Sequence, residues 1–328
     1  MLNDLGSSLS LTVRGPDARR EIVPKIAVCL AAYNGVGWLP EQMRSILDQR
    51  GVAPTVFVSV DASSDGTEAW IDAYASRDAR VVVLPHGDRF GSAGRNFFRL
   101  LRDVDFSDYD YMCFADQDDL WLQDKLERAC ASIRESDADA YSSNVTAFWP
   151  DGRRLLIDKA QRQRKWDFLF EAAGPGCTYV LSSRLAQAAQ ARVRACWPDM
   201  QAVALHDWFV YAFARSQGFR WVMDASPGLL YRQHGNNEMG ANAGWATIKR
   251  RLAKVFDGWW LEQAALIARL VGQDDAPVVR RGLHGGRLGL LWLAMQAGSC
   301  RRRAMDRVAF FLFCAVLSVV GRHAGKGC

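Results

Sequence analysis

Three carboxylates stand within four residues, at Asp116, Asp118 and Asp119. Acidic side chains this close repel one another, so a fold that gathers them is expected to supply a cation. Carboxylate oxygens suit Mg²⁺ or Mn²⁺, and such an ion would then bind the phosphates of a ligand. A solvated acidic turn is the alternative, and the rest of the chain decides between the two.

The acids follow an apolar run at residues 109–115, which predicts a buried strand. Runs of the same character occupy residues 25–33, 55–60 and 81–84, with Pro54 expected to break the chain before the second. Helical patterns separate these runs. Strand alternating with helix four times predicts an α/β fold with a doubly wound, mostly parallel sheet and ligands at its carboxyl edge.

A second acidic loop begins at Asp61, directly after the second predicted strand. It is therefore expected at the same edge of the sheet as Asp116. In this loop Asp65 and Glu68 fit a capping pair for the helix that follows.

The strict alternation ends after a predicted helix at residues 122–136. Residues 138–148 and 155–157 flank a Pro-Asp-Gly turn and predict a hairpin. A second dense polar cluster, with His206, Asp207 and His234, lies between residues 205 and 237. We interpret this part as a second half of the site within the same domain.

Length and composition set the class of protein. The 328 residues are 49% hydrophobic and can fill the core of one large or two modest domains. No secretory signal is visible in the first twenty residues. The eight cysteines are scattered without CxxC pairs, which indicates reduced, buried thiols in a cytoplasmic protein.

The net charge of +5 is unevenly spread, because residues 245–328 hold 14 Lys+Arg against 5 Asp+Glu. A basic end on a slightly acidic body argues against general nucleic-acid binding and for an anionic surface met at one end. The apolar run at residues 308–320 is too short to cross a bilayer of about 30 Å. A helix at the membrane interface and a helix packed on the core are equally favoured.

Five motifs follow one another along the chain: AAYNG at residues 31–35, VSVDASSDGT at 58–67, FADQDDLW at 114–121, HDWF at 206–209 and YRQHGNN at 231–237. On these motifs residues 25 to about 242 resemble the inverting nucleotide-sugar glycosyltransferases of family 2, which have the GT-A fold. The segment is most similar to the bacterial rhamnosyltransferase-like branch that builds surface polysaccharides.

The resemblance implies a domain plan and an activity. Residues 1–24 would be a lead-in and 25–244 the GT-A domain, with a nucleotide-sugar half (25–137) and an acceptor half (138–244). Residues 245–328 would form a basic helical region. The implied activity is metal-dependent, inverting transfer of a sugar, with L-rhamnose from dTDP-L-rhamnose favoured. The acceptor would be a glycan or lipid-linked glycan at the cytoplasmic face of the inner membrane.

On the nucleotide side, the resemblance places Ala32, Tyr33 and Asn34 against the nucleotide. Asp61 would accept a hydrogen bond from the pyrimidine ring, since a carboxylate suits an imide N–H. The family often has two aspartates at this point, and this chain has Val60 in place of the first.

The resemblance also assigns the acidic cluster. Asp116 and Asp118 would form the metal motif, with Asp118 as the direct ligand and Asp116 facing the ribose or the metal. Asp119 would orient the donor sugar or cap the following helix. His234 would complete the metal site, and a loop histidine held by hydrogen bonds is the equal alternative.

On the acceptor side, Asp207 is the candidate general base that deprotonates the acceptor hydroxyl. The alternative role is a helix N-terminal acid stabilised by the macrodipole. His206 would tune or orient Asp207. Acceptor-side candidates are Trp121 and Trp208, whose rings would stack on sugars or simply pack. Gly176 is a further candidate, whose loop would wall the acceptor pocket or form an ordinary turn.

The sequence leaves two competing functions and one open question about the donor. A nucleotidyltransferase is disfavoured, because the loop after the first strand lacks the basic residues that hold a triphosphate. A non-catalytic carbohydrate-binding protein would need neither a diphosphate-binding metal site nor a base. UDP- and GDP-sugars remain alternative donors, since specificity depends on pocket shape.

Overall fold

The computed structural model describes residues 23–234 and 258–320. In chain order its first part contains β1 (Lys25–Ala32), α1 (Leu39–Leu47), β2 (Ala53–Val60), α2 (Thr67–Ala75), β3 (Val81–Val83), α3 (Ala93–Asp103), β4 (Tyr111–Asp116), β5 (Leu120–Trp121) and α4 (Lys125–Glu135). Next come β6 (Ala140–Ser143), β7 (Val145–Phe148), β8 (Arg154–Ile157), β9 (Val180–Ser182), α5 (Ser183–Ala195), α6 (Trp197–Met200), α7 (His206–Ser216), β10 (Trp221–Asp224) and β11 (Leu229–Arg232). The final described part holds α8 (Trp259–Leu270), a π-helical turn (Val278–Leu283), α9 (Gly286–Met295), α10 (Ala297–Cys300) and α11 (Ala304–Val320).

Within the described residues, seven strands form the central sheet, in the order β10-β6-β9-β4-β1-β2-β3. β1 pairs in parallel with β2 and β4, and β2 pairs in parallel with β3. β9 runs antiparallel to β4 on one side and to β6 on the other. The predicted doubly wound, mostly parallel sheet is therefore confirmed.

Helices cover both faces of this sheet. Phe97 of α3, Leu185 of α5 and Phe209 of α7 belong to the core on one face, and Met43 of α1 and Leu126 of α4 belong to the core on the other. Every residue of β1 after its first is buried. A strand buried on both sides needs apolar residues at successive positions, which is why its sequence is a continuous apolar run.

Two local predictions were wrong. Pro54 does not break the chain before the second strand but lies inside β2, opposite Ile26 of β1, and a proline is tolerated near the beginning of a strand. Asp65 and Glu68 do not form a reciprocal capping pair. The Asp65 carboxylate accepts from the backbone N–H of Thr67 at 3.0 Å, whereas Glu68 accepts from that of Ser63 at 2.7 Å.

The run at residues 138–148 also differs from its prediction, because it contains two strands that belong to different sheets. β6 joins the central sheet, and β7 joins a four-stranded sheet in the order β5-β11-β7-β8. The predicted hairpin is present between β7 and β8, which pair antiparallel. Between β6 and β7, the Asn144 side chain donates to the Ala225 carbonyl at 2.9 Å and accepts from the Lys159 N–H at 2.6 Å.

The C-terminal helices share the core of the α7 face of the sheet. Arg302, just before α11, is buried and donates through Nη2 to the carbonyl of Ala172 at 2.7 Å and of Ala173 at 3.3 Å. Its Nη1 donates to Asp167 Oδ2 at 3.3 Å. This side chain therefore attaches the C-terminal helices to the segment that precedes Gly176.

Helix α11 has two different apolar faces. Phe310, Cys314 and Leu317 are buried, whereas Val308 is 56% exposed and Leu312 55%. The sequence left two alternatives for residues 308–320, a helix at the membrane interface or a helix packed on the core. The buried face of α11 agrees with packing on the core. Within the described residues, no helix combines the length and apolar character needed to span a membrane. The seven cysteines of that part of the chain are free, as predicted.

Candidate active site

The carboxyl ends of β1, β2 and β4 meet at one edge of the central sheet. Ala31 of β1 lies opposite Asp116 of β4. The Asp61 N–H, directly after β2, donates to the Ala32 carbonyl at 2.8 Å. The loops that carry the predicted nucleotide residues and the acidic cluster are therefore neighbours, as parallel topology requires.

The loop after β1 is attached to the acidic cluster by Gln117. The Gln117 side chain accepts from the Tyr33 N–H at 2.8 Å and donates to the Tyr33 carbonyl at 2.9 Å. A Cβ on Gly35 would overlap the Gln117 amide oxygen, so a larger residue at this position would require the Gln117 side chain to move. Asn34 has a φ of 46° and accepts from the Ser64 N–H at 2.8 Å. The Tyr33 side chain remains exposed.

Asp61 is buried and already accepts three backbone N–H groups. Its Oδ1 accepts from Ala62 and Phe90, both at 2.9 Å, and its Oδ2 accepts from Gly91 at 2.7 Å. These bonds tie the loop before α3 to the end of β2. A carboxylate offers about four lone-pair sites, so Asp61 retains capacity for a pyrimidine N–H. Its role in contacting the base stays a prediction.

Asp116, Asp119 and Cys177 place one ligand atom each within 4.8 Å of one another. Asp119 is buried, and its Oδ2 has no hydrogen-bond partner among the described residues. Burial, with the charges of Asp116 and Asp118 adding to it, raises the pKa of Asp119 well above its usual value. A buried carboxylate beside two further acids would be stabilised by a nearby cation.

Asp118 points to a different partner. Its Oδ2 lies 2.6 Å from Nε2 of His234, which follows β11. The neighbouring Arg232 donates from Nε to the Asp118 carbonyl at 2.9 Å and from its backbone N–H to Asp119 Oδ1 at 3.3 Å. The end of β11 thus meets the acidic cluster, as the prediction for His234 requires.

These side chains fit a hard divalent cation. Carboxylate oxygens and an imidazole nitrogen are ligands that Mg²⁺ or Mn²⁺ accepts, and Asp118 with His234 offers one of each. The thiol of Cys177 is a poor match to this set, because thiolate sulfur suits softer metals such as Zn²⁺ and not Mg²⁺ or Mn²⁺. The metal-ligand roles of Asp116, Asp118 and His234 stay predictions.

Asp207 lies in the first turn of α7, and its Oδ1 accepts from the Trp208 N–H at 2.7 Å. The helix-terminal interaction proposed as its alternative role is therefore present. Asp207 keeps part of its surface exposed, yet the protein around it desolvates the carboxyl and raises its pKa to about 6. A carboxyl with this pKa is ionised at pH 7 and can accept a proton.

Gly176 connects the two groups of acids. A Cβ at this position would lie 2.5 Å from Nε2 of His206 and 3.2 Å from Cβ of Asp207. The next residue is Cys177, which is beside Asp116 and Asp119. The dipeptide Gly176-Cys177 therefore lies beside Asp207 through its first residue and beside the acidic cluster through its second.

The prediction that His206 tunes Asp207 finds no support in the contacts of the imidazole. The His206 ring stacks on Phe97 at 4.0 Å between centroids and meets the edge of Phe114 at 4.9 Å. Its Nε2 has no hydrogen-bond partner within the described part of the chain. Burial lowers the pKa of His206 to about 3, so the ring is neutral and packs as an aromatic residue.

The sugar-stacking prediction for Trp121 and Trp208 is contradicted, because both indoles are buried. Trp208 Nε1 donates to the Phe168 carbonyl at 3.0 Å inside the core. The ammonium of Lys125 lies 3.5 Å from the centre of the Trp121 ring. Both indoles therefore pack in the core, which was the alternative to stacking on sugars.

Three side chains at this edge escaped sequence reasoning: Gln117, Arg232 and Trp38. Gln117 stands inside the acidic tetrad and Arg232 inside a quoted motif, so both could have been found by asking which neutral or basic groups accompany the acids. The third, Trp38, offered no signal beyond an aromatic residue before a helix.

A cavity of about 620 Å³ lies elsewhere, lined by residues 160–165 and the β10 residues 221–223, and includes none of the predicted site residues.

A mostly parallel sheet with an acidic cluster at its carboxyl edge and a further carboxylate nearby is the arrangement of a GT-A type glycosyltransferase. The family model described as glycosyl transferase family 2 matches residues 27–178. The dTDP-rhamnosyl transferase RfbG of Shigella flexneri is 39% identical over 291 residues, covering 88% of this chain and 100% of that protein. The chain belongs to glycosyl transferase family 2, and it is a glycosyltransferase.

More distant proteins agree with this assignment. The succinoglycan biosynthesis protein ExoO of Rhizobium meliloti (strain 1021) is 27% identical over 135 residues, 41% of this chain and 37% of that protein. Among solved structures, residues 1–349 of S. aureus TarS in complex with UDP-GlcNAc superpose with a TM-score of 0.52 at 11% identity. That match covers 92% of this chain and 93% of the TarS chain, and it shows the shared fold.

Proposed function

We propose that the enzyme transfers L-rhamnose from dTDP-L-rhamnose to a hydroxyl of a glycan or lipid-linked glycan, with inversion and with the help of Mg²⁺ or Mn²⁺. The product would enter a bacterial surface polysaccharide of the O-antigen or lipopolysaccharide type. The donor rests on the similarity to the dTDP-rhamnosyl transferase of Shigella flexneri.

One observation carries the proposed mechanism. Asp207 lies beside Gly176, and Asp116 and Asp119 lie beside the next residue, Cys177. In-line displacement at a sugar carbon needs a base on one face of the donor ring and stabilisation of the leaving diphosphate on the other. The closeness of the two groups supports Asp207 as the base and Asp116, Asp118 and His234 as the diphosphate side.

The roles of the side chains follow from this arrangement. A divalent cation bound at the acidic cluster would neutralise the growing charge of the departing nucleoside diphosphate. Asp207, ionised at pH 7, would take the proton of the acceptor hydroxyl. Asp61 and the loop from Ala32 to Asn34 would hold the nucleotide.

The proposal is tested with a panel of sugar nucleotides. Purified enzyme is incubated with Mn²⁺ or Mg²⁺ and dTDP-L-rhamnose, UDP-, GDP- or other dTDP-sugars, and released nucleoside diphosphate is measured with and without lipid-linked glycan acceptors. We expect metal-dependent turnover with dTDP-L-rhamnose. Preference for a UDP- or GDP-sugar would reassign the donor, and full activity in EDTA would remove the metal from the mechanism.

The acceptor proposal extends to the location of the enzyme, at the cytoplasmic face of the inner membrane. Helices α9 and α11 expose apolar side chains, with Leu288 81% and Met305 70% exposed. Arg287 and Arg303 are exposed beside them. Apolar faces flanked by arginines favour binding to an anionic bilayer surface.

Vesicle flotation tests this location. The full chain is mixed with vesicles of phosphatidylcholine alone or with added phosphatidylglycerol. We expect flotation with the anionic vesicles, and its loss in the Leu288→Asn, Met305→Asn double variant. The control is Leu155→Asn, Leu156→Asn, which changes two exposed leucines of β8. Equal flotation of both variants would contradict this surface.

A further inference from the structure

The Trp38 indole lies beneath the end of β11. Trp38 is the residue that precedes α1 and is itself half-buried. The His234 imidazole stacks on the indole with 5.4 Å between ring centroids and an angle of 9° between planes. The Arg232 guanidinium carbon lies 4.8 Å from the centre of the same indole. Trp38 therefore contacts both Arg232 and His234, the two residues at the end of β11 that meet the acidic cluster.

A second contact from α1 reaches the same residues. Glu41 Oε2 accepts from Arg232 Nη2 at 2.6 Å, although the two positions are 191 residues apart. Arg232 in turn holds the Asp118 carbonyl through Nε at 2.9 Å. Trp38 and Glu41 thus both contact the Arg232 side chain, and Trp38 also contacts the His234 ring of the Asp118–His234 pair.

Helix α1 is a firm support for these contacts. Leu39, Met43 and Ile46 are fully buried in the core beneath the sheet. Gln42 donates from Nε2 to the carbonyl of Asp116 at 2.7 Å. The first turn of α1 is therefore fixed relative to the acidic cluster on one side, while Trp38 and Glu41 face the end of β11 on the other.

We infer that Trp38 and Glu41 are positioning residues for the Asp118–His234 pair. They hold the chain after β11 so that the His234 imidazole stays beside the Asp118 carboxylate, ready to share a divalent cation. This inference rests on the proposed metal dependence of the enzyme. Residues that orient a metal ligand without touching the ion typically change metal affinity 10–100-fold when removed.

The exposure of Glu41 distinguishes positioning from stabilisation. The Glu41 side chain is 61% exposed, and an ion pair this open to solvent contributes little to folding. Loss of Glu41 should therefore leave the melting temperature almost unchanged. A change in metal affinity after its removal would then report on the position of His234 rather than on the stability of the fold.

The test measures Mn²⁺ binding directly, by electron paramagnetic resonance of free Mn²⁺ in the presence of saturating dTDP. Trp38→Leu removes the aromatic platform, Trp38→Phe retains a ring, and Glu41→Gln removes the charge. The matched controls are Trp70→Leu on α2, a half-buried tryptophan that packs on Tyr74, and Glu135→Gln at the exposed end of α4.

We expect the Kd for Mn²⁺ to rise about 10-fold in Trp38→Leu and a few-fold in Glu41→Gln, with partial rescue in Trp38→Phe and no change in the controls. Melting temperatures are measured on all variants. An unchanged Kd in Trp38→Leu, or one that shifts only with a matching fall in melting temperature, would overturn the inference. Absence of Mn²⁺ binding by the wild-type protein would instead contradict the proposed metal dependence.

Discussion

The acids at the end of β4 and Asp207 at the beginning of α7 differ in how the chain surrounds them. Asp118 meets His234, Arg232 donates to the backbone of the cluster, and Gln117 ties the cluster to the loop after β1. Asp207 contacts backbone instead, at Trp208 and at Gly176. The acidic cluster at the end of β4 is held by residues from distant segments and suits a cation. Asp207 is held by backbone groups and suits proton transfer.

The physical origin of each property also differs. Asp119 has a raised pKa because it is buried beside two further carboxylates. Asp207 has a pKa of about 6 because the protein around it removes water from the carboxyl. The comparison therefore predicts that substitutions on the two sides change separate measurements, one metal and nucleotide binding, the other proton transfer.

The largest expected effect is that of Asp207→Asn. Loss of the base should lower kcat by about 10³-fold, because positioned proton transfer contributes 10²–10⁴-fold. Binding of dTDP with Mn²⁺, measured by calorimetry, should remain at the wild-type level. Asp118→Asn should show the converse in the same assay, with weakened Mn²⁺-dependent dTDP binding. If Asp207→Asn also weakens that binding, the two groups do not act separately.

The second-largest effect is expected from replacing Arg302, which connects the C-terminal helices to the segment before Gly176. Arg302→Met should destabilise the protein by about 3 kcal/mol, because it leaves the buried Asp167 carboxylate without one of its partners. Arg303→Met changes the adjacent exposed arginine and should stay within about 0.5 kcal/mol of wild type. Urea unfolding measures both. Equal stability of the two variants would show that the Arg302 contacts do not hold the acceptor side.

The sequence predicted the elements of the nucleotide side well, because β1, β2 and β4 are buried on both faces and appear as apolar runs. It predicted the acceptor side less well. Residues 138–148 split between two sheets because Asn144 bonds to residues 15 and 81 positions away, which no local pattern shows.

The same distinction applies to individual side chains. Asp116, Asp118 and Asp207 could be selected by residue type and motif. The burial of Trp121 and Trp208 could not, since an aromatic residue beside a motif suits both packing and stacking until its neighbours are known. The contacts of Arg232 with Trp38 and Glu41 join positions close to two hundred residues apart and lie equally beyond local reasoning.

A smaller effect is expected on the nucleotide side from Gly35→Ala. The added Cβ would displace the Gln117 side chain from Tyr33, so the loop after β1 would lose its connection to the acidic cluster. The Kd for dTDP should rise about 10-fold, roughly 1.4 kcal/mol at 25 °C. Gly37→Ala is the control, because nothing lies within 4 Å of its added Cβ. An unchanged Kd for dTDP in Gly35→Ala would show that nucleotide binding does not depend on the contact between Gln117 and Tyr33.

The smallest effect is the pH dependence of the wild-type enzyme between pH 7 and pH 6. Because burial raises the pKa of Asp207 to about 6, its basic form is largely present at pH 7 and decreases as pH falls. The rate at pH 6 should therefore be about half of that at pH 7, and it should fall roughly tenfold per unit well below the pKa. Saturating Mn²⁺ and dTDP-L-rhamnose keep the metal side constant in this measurement. An acidic limb near pH 4 would show that Asp207 titrates as an ordinary exposed carboxyl, and the contrast between the two groups of acids would then lose its electrostatic basis.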